Sequence, residues 1–232
     1  MLALSLTSIP PRFDSLRPTL DSLLRQGADA VFLCLPRRYR RFVAATVPEL
    51  PEGVTLLWSE EDHGPATKLL PAAQHLRGRG ARLIYCDDDW IYEPGWAQAL
   101  AKGNAPVVAG SGFDVARLKR RPESVRGECD IAQGFAGVAV WPDALDAAAF
   151  VLPEAGFAVD DIWLSAQYAR LGLAIGLCPA ARALCQPRDL PEGLQDALID
   201  GRRRAEANQA CLDALTQRDG TWPRLESVSE KT

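Results

Sequence analysis

Three consecutive carboxylates, Asp87-Asp88-Asp89, stand directly after the apolar run Leu83-Ile-Tyr-Cys86. Like charges this close repel one another and cost stability unless a cation or a basic partner sits among them, so a positive group is implied here. A hard divalent ion bridging phosphates needs only one or two carboxylates, because substrate oxygens complete its shell. The bland alternative is a solvated acidic turn opening the next helix. Position favours a site, since ligands of open α/β sheets bind outside the carboxyl ends of the strands, which is where this triplet falls.

A second acidic pair, Asp160-Asp161, begins 73 residues after Asp87, just ahead of an apolar helical pattern. A carboxylate there can cap the helix and complement its dipole for about 1 kcal/mol, or it can take a proton from a reacting hydroxyl. Gly64-Pro-Ala-Thr-Lys68 opens another helix with a Lys in its first turn, where backbone N–H groups already favour anions. Only four of the 26 basic residues are lysines, so Lys68 draws notice; it reads equally as a diphosphate contact and as a solvated surface residue. Gln133-Gly-Phe-Ala-Gly137 either lets backbone approach a sugar closely or makes a tight turn. Trp90 and Trp141 could stack on sugars or simply pack. The two histidines read as a local hydrogen-bonding group, His63, and a solvated helix residue, His75.

The elements that must position these groups alternate. Apolar runs at residues 2–7, 30–35, 54–58, 82–86, 106–109, 135–141 and 173–178 read as strands. Helical patterns fall between or after them, at 16–27, 37–47, 67–76, 93–101, 143–149, 160–171 and 194–215. Continuously apolar strands between helices indicate a mostly parallel sheet covered on both faces, an α/β Rossmann-like three-layer sandwich. Residues 112–133 are polar and weakly patterned, the mark of a mobile loop over a site. One domain is expected over residues 1–218, including a C-terminal helical segment at about 190–217, with a flexible tail at 219–232.

Composition narrows the function classes. The 232 residues are 47% hydrophobic and 24% charged, with 30 acidic against 26 basic side chains and a net charge of -4. Nucleic-acid coats and polybasic membrane arms need clustered positive charge, so neither partner is expected. No basic region precedes the first apolar run and no run reaches the ~20 residues of a membrane helix. A cytoplasmic protein with no transmembrane segment is the expectation. The six cysteines show no C-x-x-C pair and read as reduced thiols rather than disulfides or a zinc site.

Taken in order, the opening Leu6-Thr-Ser-Ile-Pro-Pro-Arg12 with Leu20-x-x-Leu23-x-x-Gln26, the strand ending in Asp-x-Asp, and the later acidic pair resemble the GT-A glycosyltransferases, specifically family-2-like enzymes, over about residues 2–178. The resemblance implies a GT-A fold and an inverting transfer from a nucleotide diphosphate sugar, in first place a UDP-sugar. The acceptor would be a glycan or a lipid-linked molecule in bacterial cell-surface glycan synthesis. It also implies Mn²⁺ or Mg²⁺ held by Asp89 directly and by Asp87, which could instead meet the ribose. Thr7, Ser8, Arg12 and Asp88 would line the nucleotide site, Lys68 the diphosphate, and Asp62 the base or ribose. Asp161 maps onto the general base, with Asp160 a rival because the family's usual Glu is here an Asp. Two departures stand out: Leu35-Pro36-Arg37 replaces the acidic residue usual after the second strand, and no histidine follows His75 to join a metal shell. The alternatives are a sugar-nucleotide nucleotidyltransferase, whose Gly-rich phosphate loop is missing from Ser8-Ile-Pro-Pro-Arg12, and a catalytically silent nucleotide- or sugar-binding domain.

Overall fold

The computed structural model describes residues 1–43, 46–124, 126–188 and 203–225. The first four apolar runs form β1 (Leu2–Thr7), β2 (Ala30–Pro36), β3 (Val54–Ser59) and β4 (Arg82–Cys86). After the aspartates come β5 (Trp90–Tyr92), β6 (Val107–Ala109), β7 (Gly112–Phe113), β8 (Ile131–Ala132), β9 (Val138–Val140), β10 (Ile175–Leu177) and β11 (Cys185–Pro187). Seven of them make one sheet in the order β10-β6-β9-β4-β1-β2-β3. Every pairing in it is parallel except those of β9 with β4 and β6. The chain leaves β6 at the carboxyl edge, builds β7 and β8 there, and re-enters through a turn at Gly134–Ala136, so β9 must run the opposite way.

Alternation along the strands divides the core. Ala3, Phe32, Cys34, Leu83 and Tyr85 face one side, while Leu4, Leu6, Leu33, Ile84 and Cys86 face the other. The second face is covered by α1 (Arg17–Leu24) through Leu20 and Leu23, by α3 (Trp96–Ala101) and by α5 (Pro179–Arg182). The first is covered by α2 (Leu70–Leu76), α4 (Asp160–Arg170) and α6 (Arg204–Asp219). This is the mixed α/β three-layer sandwich expected from the alternation of apolar strands and helices.

Several local expectations give way. Residues 37–43, read as part of a basic helix, form bends. The Arg40 N–H donates to Asp62 Oδ2 (2.7 Å) and the Tyr39 hydroxyl to the Ser8 carbonyl (2.9 Å), which draws the segment across the strand ends instead of into an i→i−4 ladder. The helix expected at 67–76 is split into a 3₁₀ turn, Gly64–Lys68, and α2. The one expected at 143–149 is two 3₁₀ turns, Pro142–Ala144 and Ala147–Phe150. The polar stretch 112–133 is folded rather than loose: β7 pairs with β8, Asp130 accepts the Val115 N–H (2.9 Å), and buried Arg120 pairs with Asp213 of α6 (2.6 Å). The helical segment read from about residue 190 is seen from Arg204, since residues 189–202 lie outside the described ones.

Beyond α6 the chain does not fray at once. Trp222 is buried at 1% exposure, Arg224 pairs with Asp213 (2.7 Å), and the Leu225 N–H donates to the Lys119 carbonyl (3.1 Å). The polar character that suggested a tail from residue 219 missed the one large apolar side chain that anchors it. Trp222→Ala is therefore expected to cost about 3 kcal/mol through the cavity it leaves. Denaturant unfolding of the full chain measures this, and an unchanged midpoint would separate residues 220–225 from the cooperative fold.

Candidate active site

Strand order reverses around β1: the chain builds outward through β2 and β3, then returns to pair β4 on the other side of β1. Crevices open outside the carboxyl ends of strands at such a switch point. An open cavity of about 900 Å³ lies there, and Thr7, Ser8, Arg12, Asp62, Lys68, Asp87, Asp88, Asp89, Asp160 and Asp161 all line it. Residues scattered over 155 positions of sequence thus share one cleft.

The β1–β4 register, Leu2 beside Arg82 through Leu6 beside Cys86, continues to set Ser8 beside Asp88. The Ser8 hydroxyl donates to Asp88 Oδ2 (2.5 Å) and Arg12 Nη1 to Asp88 Oδ1 (2.6 Å), while the Asp88 backbone carbonyl accepts the Thr19 hydroxyl (2.8 Å). Asp88 is only 6% exposed. It thus ties the exits of β1 and β4 together at the cleft wall. Asp87 and Asp89 flank it half-exposed and line the cleft. Arg12 Nη1 also reaches Asp89 Oδ2 (3.3 Å). Even so, burial together with Asp87 and Asp88 pushes the Asp89 carboxyl up to about 6.

Lys68 is buried, and its ammonium lies 2.5 Å from Asp87 Oδ1 and 2.7 Å from Asp160 Oδ2. Burial opposes its charge, but Asp160, Asp87 and Asp161 overcome this and hold it well above the ordinary lysine value. The Ser5 hydroxyl, donating to the Lys68 carbonyl (2.5 Å), fixes the 3₁₀ turn that aims it. Lys68 is therefore a bridge between the end of β4 and the start of α4. At 2% exposure it is not the solvated surface residue of the alternative reading.

The acidic pair is not the cap that its position suggested. Val159 occupies the N-cap, with no side-chain cap bond, and Asp160 and Asp161 are already in the first turn of α4. Asp161 Oδ1 accepts the N–H of Gly134 (2.9 Å). Burial and neighbouring Asp160, only partly countered by Lys68, push the Asp161 carboxyl up to about 7. Gly134 can hold this place because a Cβ on it would sit 2.5 Å from Lys68 Nζ and 3.1 Å from Asp87 Oδ1. The backbone approach expected of this small-residue segment is thus to the charged cluster itself.

Asp62 lines the cleft with both oxygens engaged, Oδ1 by the Gly64 N–H (2.8 Å) and Oδ2 by Arg40. It shapes the rim. The His63 backbone N–H donates to Thr67 Oγ1 (3.3 Å), and His75 is exposed, as a solvated helix residue would be. Trp141 lies at the far end of β9 beneath Arg82 (5.0 Å), away from the cleft, whereas Trp90 lines it. Sequence reasoning missed Tyr39, Phe42, Phe157 and Arg188, which complete the walls. Arg188 arrives through β11–β5 pairing, donating its N–H to the Asp89 carbonyl (2.9 Å) and Nη2 to the Ser15 carbonyl (2.6 Å). No periodic signal marks such loop residues.

Among the described residues, no group of three or more His, Cys, Asp or Glu side chains is arranged to enclose a metal ion. A diphosphate-bridging ion has a smaller requirement, one or two carboxylates. Asp89 and Asp87, both half-exposed at the end of β4, meet that requirement.

No family model matches the chain, and no curated protein matches it. Among solved structures, a mycobacterial protein is similar at 15% identity and a TM-score of 0.55, over 95% of this chain and 75% of its own. That likeness establishes a shared fold. HddC from Yersinia pseudotuberculosis, crystallised in complex with GMP-PN, matches at 13% identity and a TM-score of 0.39, over 62% of this chain and 76% of its own, too distant to carry an argument here. No helix among the described residues is long and apolar enough to cross a membrane.

Removing the Lys68 charge would leave Asp87 and Asp160 facing each other uncompensated. Lys68→Met is expected to destabilise the fold by about 3 kcal/mol, the lower end for a broken buried pair because Asp87 is partly solvated. Chemical denaturation at pH 7 tests this. A loss under about 1 kcal/mol would give Lys68 the weight of a surface ion pair.

Proposed function

We propose that this cleft binds a nucleotide diphosphate sugar and transfers the sugar to an acceptor hydroxyl with inversion. The observation that supports it is the meeting of the Asp87–Asp89 edge and the Asp160–Asp161 turn around two buried cations, Arg12 and Lys68. Thr7, Tyr39 and Phe42, at the exits of β1 and β2, offer a wall for the nucleoside. The diphosphate then lies toward Asp87 and Asp89, which would hold Mn²⁺ or Mg²⁺; an ion bound there supplies Lewis-acid stabilisation of the departing diphosphate.

Asp161 is the general base of this reading. As the acceptor oxygen bonds to the anomeric carbon, Asp161 takes its proton, and the bond from that carbon to the diphosphate oxygen breaks to release a nucleoside diphosphate. A carboxylate suits the task only if it is ionised at working pH yet basic enough to accept the proton. Burial and Asp160 bring Asp161 to about 7, while the Gly134 N–H fixes its plane. Asp160, paired with Lys68, holds the bridge rather than the proton.

The donor site is tested by calorimetric titration with UDP. Affinity is expected to rise on adding Mn²⁺, and Asp89→Ala to abolish that gain. Equal binding after chelation, in parent and variant, would remove the metal from the site. Incubation with UDP-sugars then distinguishes chemistries by product: UDP released by transfer or slow hydrolysis supports the proposal. Pyrophosphate released from a nucleoside triphosphate and a sugar phosphate would instead identify a nucleotidyltransferase, and binding without any turnover a silent binding domain.

The base assignment has its own signature. A base must be unprotonated, so turnover is expected to rise with pH through about 7 and level off above it, instead of reaching its plateau near the ordinary carboxylate range. Asp161→Asn is expected to lower turnover by about 10²–10⁴ with UDP affinity unchanged. A parent-like rate in that variant would move the role to Asp160 or abolish it.

A further inference from the structure

Beside the acidic pair the cleft changes character. Trp90, immediately after Asp89, and Phe135, immediately after Gly134, both line it and lie against each other with ring centroids 4.7 Å apart at 31°. The Arg182 guanidinium sits 5.2 Å from one ring and 5.0 Å from the other, clamping the pair from α5. Next to them Gln133 also lines the cleft. Its Oε1 accepts the Ser111 hydroxyl (3.0 Å), and its amide N–H groups have no partner among the described residues. Both rings pack half-buried against the core of the second face, and with the Gln133 amide they form the part of the cleft wall beside the turn whose Gly134 N–H holds Asp161.

We infer that Trp90 and Phe135 form the platform for the acceptor and that the acceptor is a sugar ring, with Gln133 donating to one of its hydroxyls. This deepens the proposed function and rests on it for the identity of the second substrate. The chemistry of the surface selects the class. A pyranose carries an apolar C–H face that stacks on aromatic rings and a rim of hydroxyls that need donors and acceptors. An acyl or polyprenyl chain would need a continuous apolar groove, whereas these rings share the cleft wall with the charged Asp89, Arg188 and Asp161. Because Phe135 belongs to the same 3₁₀ turn whose Gly134 N–H holds Asp161, a ring seated here brings a hydroxyl to the base.

Saturation-transfer difference NMR with methyl glucopyranoside, methyl galactopyranoside and methyl mannopyranoside, each with and without UDP and Mn²⁺, tests the platform directly on the full chain. At least one glycoside is expected to bind in both conditions, its signal strongest for the protons of one ring face. Trp90→Ala is expected to weaken it about tenfold and Trp90→Phe to restore most of the loss. UDP affinity, measured in parallel, should be unchanged. Phe135→Leu, which keeps an apolar side chain, serves as the second variant, and thermal melting confirms that each is folded. Absence of binding by all three glycosides while UDP binds overturns the sugar acceptor and leaves the donor site standing. A loss of UDP affinity in step with glycoside binding reassigns the platform to the donor. Undiminished glycoside binding in both variants overturns the platform. Failure of UDP alone, with glycoside binding intact and sensitive to Trp90, overturns the proposed transfer and keeps the sugar platform.

Discussion

Charge compensation at the carboxyl edge of the sheet is the constraint on which the rest of this structure depends. Asp87, Asp88 and Asp89 end β4, and Asp160 and Asp161 begin α4, so five carboxylates converge where two layers meet. Arg12 and Lys68 make this tolerable, one from each side of β4. A buried carboxylate without such a partner would sooner take up a proton than remain charged. Asp89 and Asp161 are raised first by burial and then by the neighbouring carboxylates, which Arg12 and Lys68 only partly offset.

The two internal cations divide the labour. Arg12 works within the strand-end layer, joining the turn after β1 to the triplet, and with Ser8 and Thr19 makes the central aspartate a structural pin. Lys68 works between layers, holding the start of α4 against the end of β4. Removal of either would disturb both the fold and the polarity of the cleft, which is why stability and chemistry are not separable at these positions. The same economy explains Gly134: a single backbone N–H orients Asp161, and the missing Cβ is what allows Lys68 and Asp87 to approach.

The walls follow from these anchors. Asp62 fastens the segment after β2 through the Arg40 N–H, and Tyr39 in turn reaches the Ser8 carbonyl, so this wall of the cleft is tied to the strand ends. On the opposite side, the antiparallel β11–β5 pair carries Arg188 to the Asp89 carbonyl and brings α5, with Arg182, under the Trp90–Phe135 rings. Rigid elements thus surround a centre whose own groups are mutually locked, the condition under which a carboxylate can be held at an unusual proton affinity.

By itself, the sequence determined the seven strands of the central sheet, its two covered faces and part of the cleft's lining. Buried parallel strands must be continuously apolar, and acidic residues directly after such a strand can only emerge at its carboxyl end. These are local signals, and β1, β4 and the positions of Asp87, Asp161 and Lys68 were legible from them. The tertiary structure decided what each group does there. That Asp88 is a pin and its neighbours face the cleft, that Lys68 bridges rather than meets solvent, that Asp161 is held by Gly134 rather than capping its helix, and that Trp222 is buried all depend on partners 19 to 99 positions away. Hydrophobic periodicity carries no information over such separations. The antiparallel β9 and the 3₁₀ turns were hidden for the same reason, because direction and winding there follow from where the chain re-enters the sheet and from contacts such as Ser5 with Lys68, not from the propensity of the residues themselves.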